Sequence, residues 1–278
     1  MLSTEEREEA QRAAWSSGQL DFTLTPLGRV IKQEWLASLS KGKVFVENVT
    51  RKGTKSSVAL TIAASLCIQK PGYRAAFVAP VEKHVQAYVG DLAERVFSTC
   101  PLDLMPTFVG LDIEFNNGSR IMTVGLGKGT AAGTYNNLRS FTFDLAIVDE
   151  AGFVGSLETV VDSVLKPCVL PMDGHIVLLS TPPETADHPF KKYCDESRAN
   201  GCYSEHTILE SHYSREVIET FIKEMGGLES PRCQREYFCK FVVDQEWILI
   251  PEYRDVFVQA VQRDRFFPFY KKMTILDV

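Results

Sequence analysis

The sequence predicts an α/β fold in which a mostly parallel sheet is flanked by helices. Short, largely apolar runs at Val44–Val49, Ala75–Ala79, Phe143–Val148 and His175–Leu179 alternate with longer helix-like stretches. Strands buried on both faces of a parallel sheet read this way. Three of these runs also end in polar residues, and in open α/β sheets ligands bind beyond the carboxyl ends of the strands.

The bulk numbers bound the answer. A chain of 278 residues can form one large domain or two and can bury a sizeable core. Its 45% hydrophobic and 24% charged content is that of an ordinary soluble protein. No apolar run approaches the roughly 20 residues that span a bilayer, and the charged Met1–Arg12 stretch lacks a signal-peptide core. A cytoplasmic address without membrane attachment is the expectation. The seven cysteines are odd in number and contain no C-x-x-C pair, which argues against a disulfide framework and a zinc site. A net charge of -6 excludes a uniformly basic DNA-binding surface, so a nucleic-acid partner would need local basic patches.

Taken in order, residues 1–21 read as a polar, partly helical arm. Phe22-Thr23-Leu24-Thr25-Pro26 leads into a helix over Leu27–Ser38 that carries Gln33 and Trp35. The strand at Val44 follows, then Thr50-Arg51-Lys52-Gly53-Thr54-Lys55-Ser56-Ser57, then a helix from Val58. Pro71-Gly72 turns into the strand at Ala75, and a helix over Glu82–Phe97 places Val85, Val89, Leu92 and Val96 on one face. Asn116-Asn117-Gly118 is turn chemistry for a hairpin over Asp112–Gly125. Residues 125–137 are Gly-rich and loop-like. The strand ending at Asp149-Glu150 precedes a helix over Leu157–Lys166, and the next strand ends at Ser180-Thr181-Pro182. A strand near Glu205–Glu210, a helix over Ser214–Met225 stopped by Gly226, and an amphipathic stretch over Ser230–Phe241 complete the pattern.

Strand, turn bearing Lys-Ser, then helix is the setting of a phosphate-binding loop, with backbone N–H groups and a helix N-terminus facing phosphates. The usual pattern is G-x-x-x-x-G-K-[ST], and Val49 and Thr54 stand where its glycines would be; read alone, Lys55-Ser56 also fits a plain helix start. Asp149, at a strand end, can hold Mg²⁺ through its carboxylate, and Glu150 can then orient or deprotonate an attacking water. The same pair could merely solvate the strand end. Ser180-Thr181-Pro182 reads either as a strand exit or as a sensor of the γ-phosphate. Gln33 is either a surface amide or a reader of the adenine edge, and Arg51 either a solvated charge or a cation for the transferred phosphoryl group. Arg139 is a weaker candidate for that role, acting on a neighbouring subunit. Taken together, these strand ends favour ATP with Mg²⁺ as the ligand of a P-loop NTPase (ASCE/RecA-like) core.

The order and spacing of Gln33, Thr50–Ser57, Phe77-Val78-Ala79-Pro80, Asp144–Ala151 and Ser180-Thr181-Pro182 resemble the large terminase subunit of tailed bacteriophages from about Phe22 onward. The resemblance implies an ATPase domain over residues 22–243, closed by a segment at Gln234-Arg235-Glu236-Tyr237. It also implies a linker and the first strand of a truncated ribonuclease-H-like nuclease domain over 244–278. Within that strand, at Met273–Val278, Asp277 would be an orphan metal ligand, and DNA cleavage is not expected. Lys55, Arg51 and Glu150 would be catalytic, Thr50–Ser57 with Gln33 would bind ATP, and Ser56 with Asp149 would hold Mg²⁺. Ser180-Thr181-Pro182 would couple hydrolysis to movement. The implied partners are double-stranded DNA, a portal protein on the procapsid, a small terminase subunit and further copies in a ring, in the host cell cytoplasm. Lys128, Arg120 and Arg139 are candidate DNA contacts, on the expectation that loops after the strands face DNA. Terminases usually have Gly before the loop lysine. Thr54 does not supply the positive φ that Gly allows, so Gly53 is expected to take the sharp turn or the loop to be reshaped. A helicase-like translocase and a nucleotide-binding assembly module without hydrolysis are the alternatives.

Overall fold

The computed structural model describes residues 3–80, 82–126, 137–185 and 187–242. The chain divides into two compact units, Met1–Val243 and Asp244–Val278, and the described residues belong to the first. The expected strand at Met273–Val278, with Asp277, lies outside them.

The first unit is built on an eight-stranded sheet of order β3-β4-β5-β2-β6-β7-β1-β8. The strands are β1 (Val44–Val49), β2 (Arg74–Ala79), β3 (Thr107–Val109), β4 (Asp112–Glu114), β5 (Arg120–Gly125), β6 (Leu145–Asp149), β7 (His175–Ser180) and β8 (Tyr203–His206). Pairings among β5, β2, β6, β7, β1 and β8 are all parallel; only β3 and β4 run antiparallel, as the edge hairpin. Side chains alternate between two cores, as the two-residue period of a strand requires. Phe45, Val49, Leu145, Ile147, Val177 and Leu179 enter one; Val46, Ala146, Val148, Ile176 and Leu178 enter the other.

The first core is covered by α1 (Thr4–Ser17), α2 (Pro26–Ser38), α3 (Lys55–Gln69) and α4 (Glu82–Phe97). On the other face lie a π-helical stretch over Thr159–Leu165, the short α5 (Lys166–Val169) and α6 (Pro189–Ala199). Further on, α7 (Arg215–Glu224) and α8 (Pro231–Phe238) pack around Ile208, Ile218, Cys233 and Tyr237. Side-chain caps fix several starts: Thr25 accepts from the Gly28 N–H ahead of α2, with Pro26 at the first helical position, and Ser214 accepts from Val217 ahead of α7. Helix α3 is buried nearly all round, including Leu60 and Ile62 at 1% exposure; each such side chain contributes about 1.5–3 kcal/mol.

Several expectations change. The N-terminal arm is a docked helix: a Ser3/Glu6 capping box starts α1, and Trp15, 2% exposed, packs 5.6 Å from Phe97 while its indole N–H donates to Thr99 Oγ1. The strand expected near Glu205–Glu210 is β8, which ends at His206. Thr207 then opens a 3₁₀ turn at Ile208–Glu210. The stretch after Ser230 is helical only to Phe238, where Cys239 turns left-handed with φ 57°. The helix expected over Leu157–Lys166 is π-helical in its centre. Strand β3, three exposed residues long, has no apolar period to announce it. The hairpin at Asn116–Gly118 forms as predicted, with Gly118 at φ 81°.

Candidate functional site

The strand ends converge because β7 lies between β1 and β6. With strands about 4.8 Å apart, the exits of β1 and β6 stand about 10 Å from each other. The end of β7 lies between these two exits, and the gap that they span is the candidate slot.

Leaving β1, the chain makes a tight loop whose geometry answers the question of the absent glycine. Lys52 and Thr54 take the left-handed conformation (φ 67° and 62°), and Gly53 does not. Thr54 therefore adopts the backbone that the sequence reading reserved for glycine. A β-branched residue there costs about 1–2 kcal/mol. Its hydroxyl lies 3.4 Å from that of Thr25, which caps α2. Gly53 serves a different need: a Cβ there would stand 2.6 Å from Val49 Cγ1 and 2.9 Å from the Thr50 carbonyl oxygen. Helix α3 begins at Lys55 without a side-chain cap, and an uncapped helix N-terminus is a ready anion-binding position.

The start of the loop is clamped from two sides. The Thr50 N–H donates to the His206 carbonyl of β8 (2.9 Å), and the Arg51 N–H donates to the Glu236 carbonyl of α8 (2.8 Å). Thr50 Oγ1 also donates towards the Glu236 carbonyl, at 3.3 Å. The Arg51 guanidinium is half exposed and 3.8 Å from the Glu236 carboxylate. Lys52 is exposed, Ser57 half-buried, and Ser56 buried at the first turn of α3.

Lys55 Nζ lies 3.0 Å from Glu150 Oε1, with the lysine side chain 8% and the glutamate 37% exposed. Burial pushes the Lys55 ammonium towards neutrality, but Glu150 and Asp149, with Glu236 further off, outweigh it and hold the group above the ordinary lysine range. Asp149 is buried at 1% exposure and accepts the Glu150 N–H on Oδ1 at 3.1 Å. Glu150 itself is left-handed (φ 51°), a strained conformation for a residue with a side chain. The next turn is bolted to β7: the Gly152 N–H donates to Ser180 Oγ at 2.9 Å, and a Cβ on Gly152 would meet that oxygen and the Thr181 carbonyl, both at 2.8 Å. Thr181 and Pro182 are buried beside it.

Other candidates stand apart. Gln33 is exposed on α2, eight residues or about 12 Å along the helix from Thr25. Arg139 precedes β6, at the end of that strand opposite Asp149, so within one chain it is remote from the slot. Arg120 opens β5, within the expected hairpin, and its guanidinium is held by Asp112 and Glu114. Lys128 lies outside the described residues. Among the described residues no cluster of three His, Cys, Asp or Glu could hold a metal ion, and no helix is long and apolar enough to cross a membrane.

Sequence reasoning missed two groups that pack against the loop. Glu236 was noted only as part of a closing segment. Behind the loop, a polar cluster joins α2 to β8: Glu34 meets Ser204 and His206 Nε2 (2.8 Å to the latter), and His206 Nδ1 meets Glu210 at 3.0 Å. Near this cluster Glu47, in the middle of β1, is fully buried. A carboxylate inside a mostly apolar strand, beside Asn48, was the sequence signal for it.

No protein-family model matches the sequence, and no curated protein matches it. Solved structures do. The ATPase domain of the Thermus phage P74-26 large terminase superposes with a TM-score of 0.56 at 17% identity, covering 75% of this chain and 93% of that one. The bacteriophage HK97 large terminase gives 0.58 at 12%, covering 77% and 50%. The large terminase of the thermophilic bacteriophage D6E in complex with ADP gives 0.57 at 13%, covering 80% and 57%. The chain thus spans about half the length of the latter two. The chain has the fold of phage large terminase ATPase domains.

Proposed function

We propose that the chain is the ATP-hydrolysing part of a DNA-packaging motor of the large-terminase type. The observation that carries this is the meeting of Lys55, from the exit of β1, with Glu150, from the exit of β6, across the slot between those exits. It gains weight from the D6E terminase, similar in fold, being solved with ADP and with ATP-γ-S.

In this reading the N–H groups at the start of α3 and the Lys55 ammonium hold the β- and γ-phosphates, and Arg51, half exposed at the loop, swings onto the phosphoryl group. Water attacks the γ-phosphorus, Glu150 accepts its proton, and the bond to the β-phosphate oxygen breaks to release ADP. In the resting protein Glu150 is engaged by Lys55. Phosphate that competes for the lysine therefore frees the base, so the base becomes available only when substrate is present. A magnesium ion fits the donor set: Asp149 is a buried carboxylate and Ser56 a buried hydroxyl, both hard oxygens. With Asp149 as its one acidic ligand, an ion there would complete its shell from phosphate and water, as Mg²⁺ prefers. It would supply charge neutralisation on the phosphates. In the same reading, a change at Glu150 is passed through the Gly152–Ser180 bond to Thr181 and Pro182, the segment after β7. Double-stranded DNA, a portal on the procapsid, a small terminase subunit and a ring of copies, with Arg139 reaching a neighbour's slot, belong to the same proposal.

The test is ATP binding and turnover, with DNA present, in Lys55→Ala and Glu150→Gln. Binding is lost in the first; in the second it is kept while hydrolysis is lost. Wild-type protein that binds ATP yet never turns it over would leave only a nucleotide-binding module.

A further inference from the structure

Glu47 is the group that the mechanism does not use and that packing does not explain. It lies level with Leu179 of β7 and Ser204 of β8, and shares its strand face with Phe45 and Val49, the face that enters the core beneath α2 and α3. Its side chain is fully buried, and neither carboxyl oxygen has a hydrogen-bond partner. Buried polar groups are nearly always paired, and an unpaired carboxylate anion is among the costliest things to bury. The charged groups that act on it are Glu34 from α2 and Lys55 from α3; its register partners are Leu179 on β7 and Ser204 on β8, and Glu34 in turn bonds Ser204 and His206, whose other ring nitrogen meets Glu210. Burial first, then the negative charge of Glu34, push the Glu47 carboxyl up to about 8, against the pull of Lys55. A carboxyl buried without a partner is held in its neutral form more readily than an exposed one.

We propose that Glu47 is a positioning residue for the phosphate loop: as a neutral acid it leaves Lys55 free for phosphate, and on losing its proton it competes for that lysine and repels the anion. This rests on the nucleotide reading of the loop. Lys55 already answers to Glu150 and Asp149. A third negative charge, buried behind the loop, would hold the ammonium back from the slot and lower the attraction for a polyphosphate. Nucleotide binding is then linked to a proton on Glu47, and affinity falls as pH rises through the range in which that proton leaves.

The experiment is calorimetric titration of the full chain with ADP and magnesium between pH 6.5 and 9.5, in wild type, Glu47→Gln and Glu34→Gln. Wild-type affinity is expected to fall about fivefold or more from pH 7 to pH 9.5, a change within the tenfold per pH unit that one proton allows. Glu47→Gln is expected to hold its affinity level over the range. Glu34→Gln, which removes the charge that keeps the acid protonated, should begin its fall at lower pH. A parallel thermal scan without nucleotide reads the acid by itself. A carboxyl raised in the folded state loses stability as pH climbs from its unfolded value towards its folded one, so the wild-type midpoint should drop relative to Glu47→Gln between about pH 5 and pH 8. An ADP–pH slope in Glu47→Gln equal to that of wild type overturns the proposal alone. Absence of ADP binding in wild type at every pH removes the nucleotide reading, and the proposal with it.

Discussion

The Lys55–Glu150 pair can be weighed by a double-mutant cycle using Lys55→Met, Glu150→Gln and both together. At 3.0 Å the gross attraction is about 5–6 kcal/mol in an effective dielectric of about 20. Two features reduce what the cycle reads. Glu150 is 37% exposed, so solvent screens it, and Asp149 remains as a second counter-charge for the lysine. The expected coupling is therefore about 1–2 kcal/mol, above the roughly 0.3–0.5 kcal/mol seen between sites that do not touch. Glu150→Gln leaves a buried ammonium with one fewer anion and should destabilise more than the double mutant does. Urea unfolding at pH 7, with midpoints compared at constant slope, gives all four corners. A coupling below about 0.3 kcal/mol would mean that the two residues do not meet in solution, and the idea that substrate frees the base would lose its footing.

Three further outcomes follow from the geometry of the loops and the first helix. Gly53→Ala places a methyl against Val49 and the Thr50 carbonyl; a loss of about 1–3 kcal/mol in unfolding free energy is expected, with nucleotide affinity falling as the loop shifts. Ser180→Ala removes the acceptor of the buried Gly152 N–H. It should cost about 1–3 kcal/mol and lower turnover more than ATP binding, which steady-state kinetics separates. Trp15→Ala empties a site that is 2% exposed between α1 and Phe97. A drop of about 3–5 kcal/mol is expected, against almost nothing if α1 were a loose arm.

Much of the frame was legible in the sequence because buried parallel strands leave a simple trace, an apolar run with a polar exit. That is why β1, β6 and β7 stood out together with their ends, and β2, which runs into Ala79-Pro80, as an apolar run alone. Strand β8 was displaced because Tyr203-Ser204-Glu205-His206 is short and polar. It is a strand because it pairs with β1, a contact that local pattern does not encode. The docking of α1 rests on one indole among charged residues, too little for a periodic signal. Thr54 was misjudged for a related reason. Intrinsic preference disfavours a left-handed threonine, whereas the fold holds it between Gly53 and the start of α3, beside Thr25. The clamp on the loop from His206 and Glu236 joins residues more than 150 positions apart, and only the folded chain brings them together.

The central claim, that the strand-end slot hydrolyses ATP with Glu150 as the base, is tested most directly by single-turnover release of labelled γ-phosphate, with DNA present, from wild type and Glu150→Gln at saturating ATP. Wild type is expected to release phosphate, and the glutamine variant to hold ATP intact with its rate lowered by about 10²-fold or more. Equal rates in the two proteins would contradict it, because the proton of the attacking water would then be going somewhere other than Glu150.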